Sequence, residues 1–196
     1  MGDQEFFKRK WDTWQPNVKD FPVREQKTAS RILNELEPHF EIETEVWGRH
    51  FSGKNLRIDA IIQPRDKTEW KNKKAALGIE FKCFEPENDR QLGQVNKYTQ
   101  YAAQAVDYAH TSFGKYGYIY VFCANLYDSL DKHYHQNGAR FWMSRIMAQL
   151  GVGDLGRTKW HGLTLRTGGD VRIWSKVNGP ETGAKYFNLI RKFGAR

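Results

Sequence analysis

Apolar positions recur every three or four residues between 23 and 36, at Ala29, Ile32, Leu33 and Leu36, and Pro38 follows. That spacing predicts an amphipathic helix over 23–36, closed by the proline. Residues 40–48 (FEIETEVWG) alternate apolar with acidic side chains as a half-buried strand does, and SGKN at 52–55 supplies a turn. A second strand is predicted over 56–63 (LRIDAIIQ), a charged loop over 64–74, and a third strand over 75–84 (AALGIEFKCF) with apolar residues on both sides of its charges. Residues 89–109 lack proline, are rich in Gln and Ala, and place Leu92, Val95, Tyr98, Ala102 and Val106 near helical spacing. A β-prone run at 116–124 (YGYIYVFCA), a helix at 140–150 and short glycine-punctuated strands at 161–166 and 171–174 complete the pattern.

The order is α-β-β-β-α-β with a mixed α/β tail, and the expected fold class is α/β, a central mixed sheet flanked by helices. A length of 196 residues suits one compact domain with an appended part. The expected division is an N-terminal arm over 1–22, where Phe6, Phe7, Trp11 and Trp14 mix with Lys8-Arg9-Lys10, a core over 23–124, and a C-terminal α/β extension over 125–196 packed on it. The hydrophobic fraction of 39% and aromatic fraction of 14% are enough to bury a core. The net charge of +8 favours polyanionic partners. The absence of an apolar run of membrane-spanning length, and a charged amino terminus, point to neither a membrane span nor secretion, so a cytoplasmic location is expected. Cys83 and Cys123 lie in apolar strand-like runs and read as buried core thiols.

Candidate chemistry centres on the second and third strands. Alternation puts Glu80 and Lys82 on one face of their strand, and a meander brings Asp59 of the neighbouring strand toward them. Two carboxylates are hard oxygen ligands of the kind Mg²⁺ or Mn²⁺ takes, and such an ion polarises a phosphodiester. The ammonium group can orient water or stabilise charge developing on phosphorus. All three charges lie inside apolar β sequence, where they are costly unless paired or metal-bound.

This pattern, Asp59 followed after a loop by Glu80-Phe81-Lys82, with a helix before and a long helix after, resembles the PD-(D/E)xK nuclease superfamily, whose core is α-β-β-β-α-β. The resemblance covers roughly 23–124. It implies Asp59 and Glu80 as ligands of Mg²⁺ or Mn²⁺, the carbonyl of Phe81 completing the coordination, and Lys82 as catalytic base or water-positioner. The acidic residue of the family's first helix falls on Glu25, with Glu35 and Glu45 as alternatives. Gln94 and Tyr98, one helical turn apart, are similar to the Gln-x-x-x-Tyr motif of the RecB-like and lambda-exonuclease-like branch. Ile58 stands where the superfamily's name has Pro, and the four cysteines that some RecB-like members use for an iron–sulfur cluster are absent.

The expected function is therefore metal-dependent hydrolysis of DNA, exonucleolytic or in recombination or phage-type processing, with host cytoplasm as the location if the chain is phage-encoded. A DNA-binding or structural protein that keeps the architecture without turnover is one alternative. A restriction-type endonuclease is another, in which 125–196 supply sequence recognition or the contacts of a homo-oligomer.

Other features read as structural. Gly151-Val-Gly153-Asp-Leu-Gly156 matches a dinucleotide-binding fingerprint by letter but follows a helix and leads into a strand-like segment, so it is a connector. His133, His135 and Asn137 read as a surface turn. Trp11, Trp14, Trp142, Trp160 and Trp174 read mainly as packed aromatics, with base stacking as the functional alternative. The charged loop over 65–74 is the first place to look for contacts with a nucleic-acid backbone.

Overall fold

The first helix forms where the apolar stripe predicts it. The computed structural model describes residues 21–82, 100, 103–125, 150–158, 160–167 and 171–187. Helix α1 (Phe21–Leu36) takes Pro22 in its first turn, where the missing N–H has no intrahelical partner to lose, and ends before Pro38. Ile32 and Leu36 are buried against the sheet, with Ala29 and Leu33 packed beside them.

Strands β1 (Phe40–His50), β2 (Asn55–Pro64) and β3 (Leu77–Lys82) form an antiparallel meander. After β3 the described chain resumes in a helix, α2, over residues 103–109, followed by the two-residue β4 (Thr111–Ser112) and by β5 (Tyr120–Asn125), which lies parallel to β3. Then come β6 (Val152–Thr158), parallel to β5, and the antiparallel β7 (Gly162–Thr167), β8 (Val171–Ser175) and β9 (Gly179–Pro180). The spatial order is β4-β1-β2-β3-β5-β6-β7-β8-β9 in one mixed sheet.

This overturns the α/β expectation. The described structure is mostly β, a nine-stranded curled sheet with two short helices, rather than a helix-flanked sheet of few strands with an α/β extension. The physical reason lies in the glycine-punctuated C-terminal segments. The turn at 176–178 folds β9 back on β8, β7 pairs antiparallel with both β6 and β8, and β6 docks beside β5, so these segments lengthen the sheet instead of forming another layer. The glycine-rich stretch 151–156, expected to be a connector, runs into β6 from Val152, where Gly153 lets backbones approach. A Cβ there would stand 2.5 Å from the Arg166 carbonyl oxygen and 2.6 Å from the Phe122 ring.

Two apolar clusters divide the core. One gathers Ile32 and Leu36 of α1 with Ala60, Ile62, Ile79, Phe81 and Phe122, and extends through Leu155, Leu165 and Trp174. The other sets Ala105, Tyr108 and Ala109 of α2 against Ile58, Ile61, Val121 and Cys123. Small side chains at 105 and 109 let α2 sit close to the sheet. Gly78 serves the same end, since a Cβ on it would lie 2.6 Å from Ile58 and 2.7 Å from Ile119.

Among the described residues, no helix is long and apolar enough to cross a membrane. Cys123 is buried, whereas Cys83 lies outside the described residues. Trp174 is a core residue, in edge contact with Phe40, and Trp160 is exposed between β6 and β7. Trp11, Trp14, Trp142, His133, His135, Asn137 and the helix expected over 140–150 fall outside the described residues, except for Leu150 itself, which lies in a turn.

Candidate active site

Strands β2 and β3 pair only over Ala60–Ile79, Ile61–Gly78 and Ile62–Leu77. The next position in register would oppose Asp59 to Glu80, and there side chains take over from the ladder. The Phe81 amide donates to Asp59 Oδ2 at 2.8 Å, and the Asp59 amide donates to the Glu80 carboxyl. The strands part at this point, and the two acids fill the opening.

Asp59 also marks a break in side-chain alternation. Leu56 and Ile58 pack in the α2 cluster, whereas Ala60 and Ile62 pack in the α1 cluster, although strict alternation would keep all four on one face. Across β1 the same switch occurs between Ile42 and Val46. Glu45, opposite Asp59 between the pairs Thr44–Ala60 and Val46–Ile58, has φ 53°, the one left-handed non-glycine conformation among the described residues. Such a conformation costs roughly 1–2 kcal/mol and persists only where the surroundings impose it.

Helix α2 closes the site from one side. The Tyr108 hydroxyl donates to the Arg57 carbonyl at 2.7 Å and accepts from Gln104 Nε2 at 2.8 Å. It also meets Glu80, and burial of the phenol, followed by the nearby Glu80 carboxyl, raises the Tyr108 pKa.

Burial dominates the electrostatics. Glu80 is 4% exposed, and burial followed by the charge of Asp59 pushes its pKa up to about 9, with the Lys82 ammonium opposing. Burial likewise raises Asp59, against the Phe81 amide, the hydrogen bond from Glu80 and the more distant charges of Lys82 and Arg57. The acids behave as one coupled pair that holds a proton at neutral pH, carried on Glu80 and donated to Asp59. A half-buried and a buried carboxyl in contact would suit a divalent cation, which would offset the repulsion that the proton otherwise relieves. Among the described residues there is no cluster of three or more His, Cys, Asp or Glu side chains suited to a metal.

The structure thus brings Asp59 and Glu80 into contact and leaves Lys82 within electrostatic range of both. Gln94, Tyr98 and the side chain of Glu25 lie outside the described residues. Of the alternatives to Glu25, Glu35 is engaged elsewhere, bonded to Arg157 at 2.6 Å and to Lys176 at 2.8 Å, where it staples α1 to β6 and the β8–β9 turn. Glu45 pairs with Arg57 at 3.1 Å on an exposed surface. The charged loop over 65–74 joins the opposite ends of β2 and β3, about 17 Å along β2 from Asp59. It packs against the C-terminal segment, with Trp70 buried beside Phe187 and the Lys71 amide bonded to the Ala184 carbonyl, so it does not border the acids.

Gln104 and Tyr108 are residues that the sequence reading passed over. A signal was present, since Gln104–Tyr108 repeats the Gln-x-x-x-Tyr spacing of Gln94–Tyr98 ten residues later. Comparison of the chain with protein-family models, curated proteins and solved structures gave no match.

Proposed function

We propose that this chain is a divalent-metal-dependent nuclease that hydrolyses DNA phosphodiester bonds through Asp59, Glu80 and Lys82, as its resemblance to PD-(D/E)xK nucleases implies. The observation that carries the reading is the contact of half-buried Asp59 with buried Glu80, within range of the Lys82 charge, at a point where the strands separate. Two carboxyls so placed can ionise together only with a cation beside them, and strongly perturbed acids cluster at functional sites.

Asp59 and Glu80 would hold Mg²⁺ or Mn²⁺, with the carbonyl of Phe81 as third ligand. The ion, when bound, supplies Lewis-acid stabilisation of charge on the phosphate oxygens. Lys82 orients the attacking water or balances charge developing at phosphorus. Gln104 and Tyr108 hold the β2 backbone at Arg57 and the carboxyl of Glu80 in place. The basic balance of the chain, +8, favours a polyanionic substrate.

The test uses end-labelled linear duplex, closed circular and single-stranded DNA, each with Mg²⁺, Mn²⁺ or EDTA. Asp59→Asn is preferred to Asp59→Ala, because the amide oxygen still accepts from Phe81 and preserves the fold. Cleavage that needs metal and disappears in Asp59→Asn and Lys82→Ala supports the reading, and sparing of the circle marks an exonuclease. Parent-like cleavage by both variants, or no cleavage with any metal, refutes it.

A further inference from the structure

Beyond its pairing with β3, the β1–β2 ribbon carries a surface that the acids do not use. Cross-strand partners place Asn55 beside Arg49, Arg49 beside Ser112, and Ser112 beside Tyr118, so one row of side chains crosses four strand segments on the same face. The next row on that face holds the pair Trp47 and Arg57. Val46, Gly48, Leu56, Thr111 and Phe113 point the other way, into the α2 cluster or against it, so this face is outward.

Two large aromatic rings lie open on it, Trp47 at 63% and Tyr118 at 62% exposure, whereas most aromatic side chains of the sheet are buried. The Arg57 guanidinium sits 6.0 Å from the Trp47 ring, and Arg49 bonds the Asn55 amide oxygen at 3.1 Å without a carboxylate partner among the described residues. Trp47, Arg49, Asn55 and Ser112 border a shallow groove of about 320 Å³.

The geometry points to this face as a track for an unpaired DNA strand, its bases stacked on Trp47 and Tyr118 and its phosphates on Arg49. The inference rests on the nuclease reading for its choice of polyanion and adds the substrate form. Rings presented flat on a sheet reach the π-faces of unpaired bases, which a duplex keeps stacked inside, and adjacent cations follow the backbone. Neighbouring strands are about 4.8 Å apart, so Tyr118, two strand segments across from Arg49, stands about 10 Å to its side and can stack a base of its own.

The test is fluorescence anisotropy with labelled oligo(dT) and with a duplex, in EDTA so that binding is read without cleavage. Variants are Trp47→Ala, Tyr118→Ala and Arg49→Gln, with Trp160→Ala as a control, because Trp160 is as exposed but lies between β6 and β7. Each ring variant should bind oligo(dT) roughly tenfold more weakly with an unchanged melting temperature, while Trp160→Ala binds as the parent does. Parent-like affinity in both ring variants, equal weakening by Trp160→Ala, or preference for the duplex overturns the inference. So does a dimer in sedimentation that Trp47→Ala disperses while oligo(dT) is not bound, which would give the face to a second copy of the chain. Ring-dependent binding with no cleavage under any metal leaves the track standing and removes the nuclease reading. Metal-dependent cleavage with ring variants that bind normally does the reverse.

Discussion

Replacing Glu80 by Gln separates the chemical role of this residue from its effect on stability. Folded Glu80 releases its proton only at about pH 9, whereas in the unfolded chain it does so near its ordinary value of 4.5. Between those values the unfolded state binds fewer protons than the folded state, so raising the pH favours unfolding. The slope for one proton is about 1.4 kcal/mol per pH unit. From pH 6 to pH 8 without metal, this group alone lowers stability by about 3 kcal/mol. Glu80→Gln removes the titration and keeps an N–H donor for Asp59, so its advantage over the parent should grow by about that amount across the interval. Urea unfolding of both proteins in a chelating buffer at pH 6, 7 and 8 measures the difference. Equal pH dependence of the two proteins would show that Glu80 is not a buried, proton-holding partner of Asp59. Mg²⁺ should stabilise the parent more at pH 8 than at pH 6 and leave the variant little changed, because binding has to displace the proton.

Tyr108→Phe removes the hydroxyl shared by the Arg57 carbonyl, Gln104 and Glu80, and should cost about 1–2 kcal/mol in urea unfolding. If Tyr108 also positions Glu80, the Mg²⁺ concentration for half-maximal cleavage should rise, a shift that a purely structural role would not produce. Glu35→Ala should destabilise by about 1–3 kcal/mol at neutral pH by breaking the bonds to Arg157 and Lys176. Burial of the Glu35 carboxyl works upward, but those two bonds outweigh it and lower its pKa. Its contribution is therefore complete above the unfolded value near 4.5 and is lost as pH falls through the folded one, so parent and variant should converge in acid unfolding.

Strand positions were legible wherever side chains alternate or run apolar. The predicted segments at 40–48, 56–63 and 75–84 overlie β1, β2 and β3, and those at 161–166 and 171–174 overlie β7 and β8. Sheet membership was not legible, because a period of two tells which face a residue takes and not which strand lies beside it. Val152–Thr158 has glycines where side chains would otherwise show the period, so β6 was missed and with it the continuation of the sheet. At the candidate site, the meeting of Asp59 and Glu80 was legible because charges stand out in apolar sequence. Tyr108 was hidden by a duplicated spacing. The face switch at Asp59 was hidden because it depends on Glu45 in the neighbouring strand.

The two ends of the strand order are also its shortest members, Thr111–Ser112 and Gly179–Pro180, and Pro180 has no amide hydrogen to offer. A strand of two residues presents too little backbone to template a foreign strand, so growth of this large sheet into fibrils or edge-to-edge aggregates finds no nucleus at either of these strands.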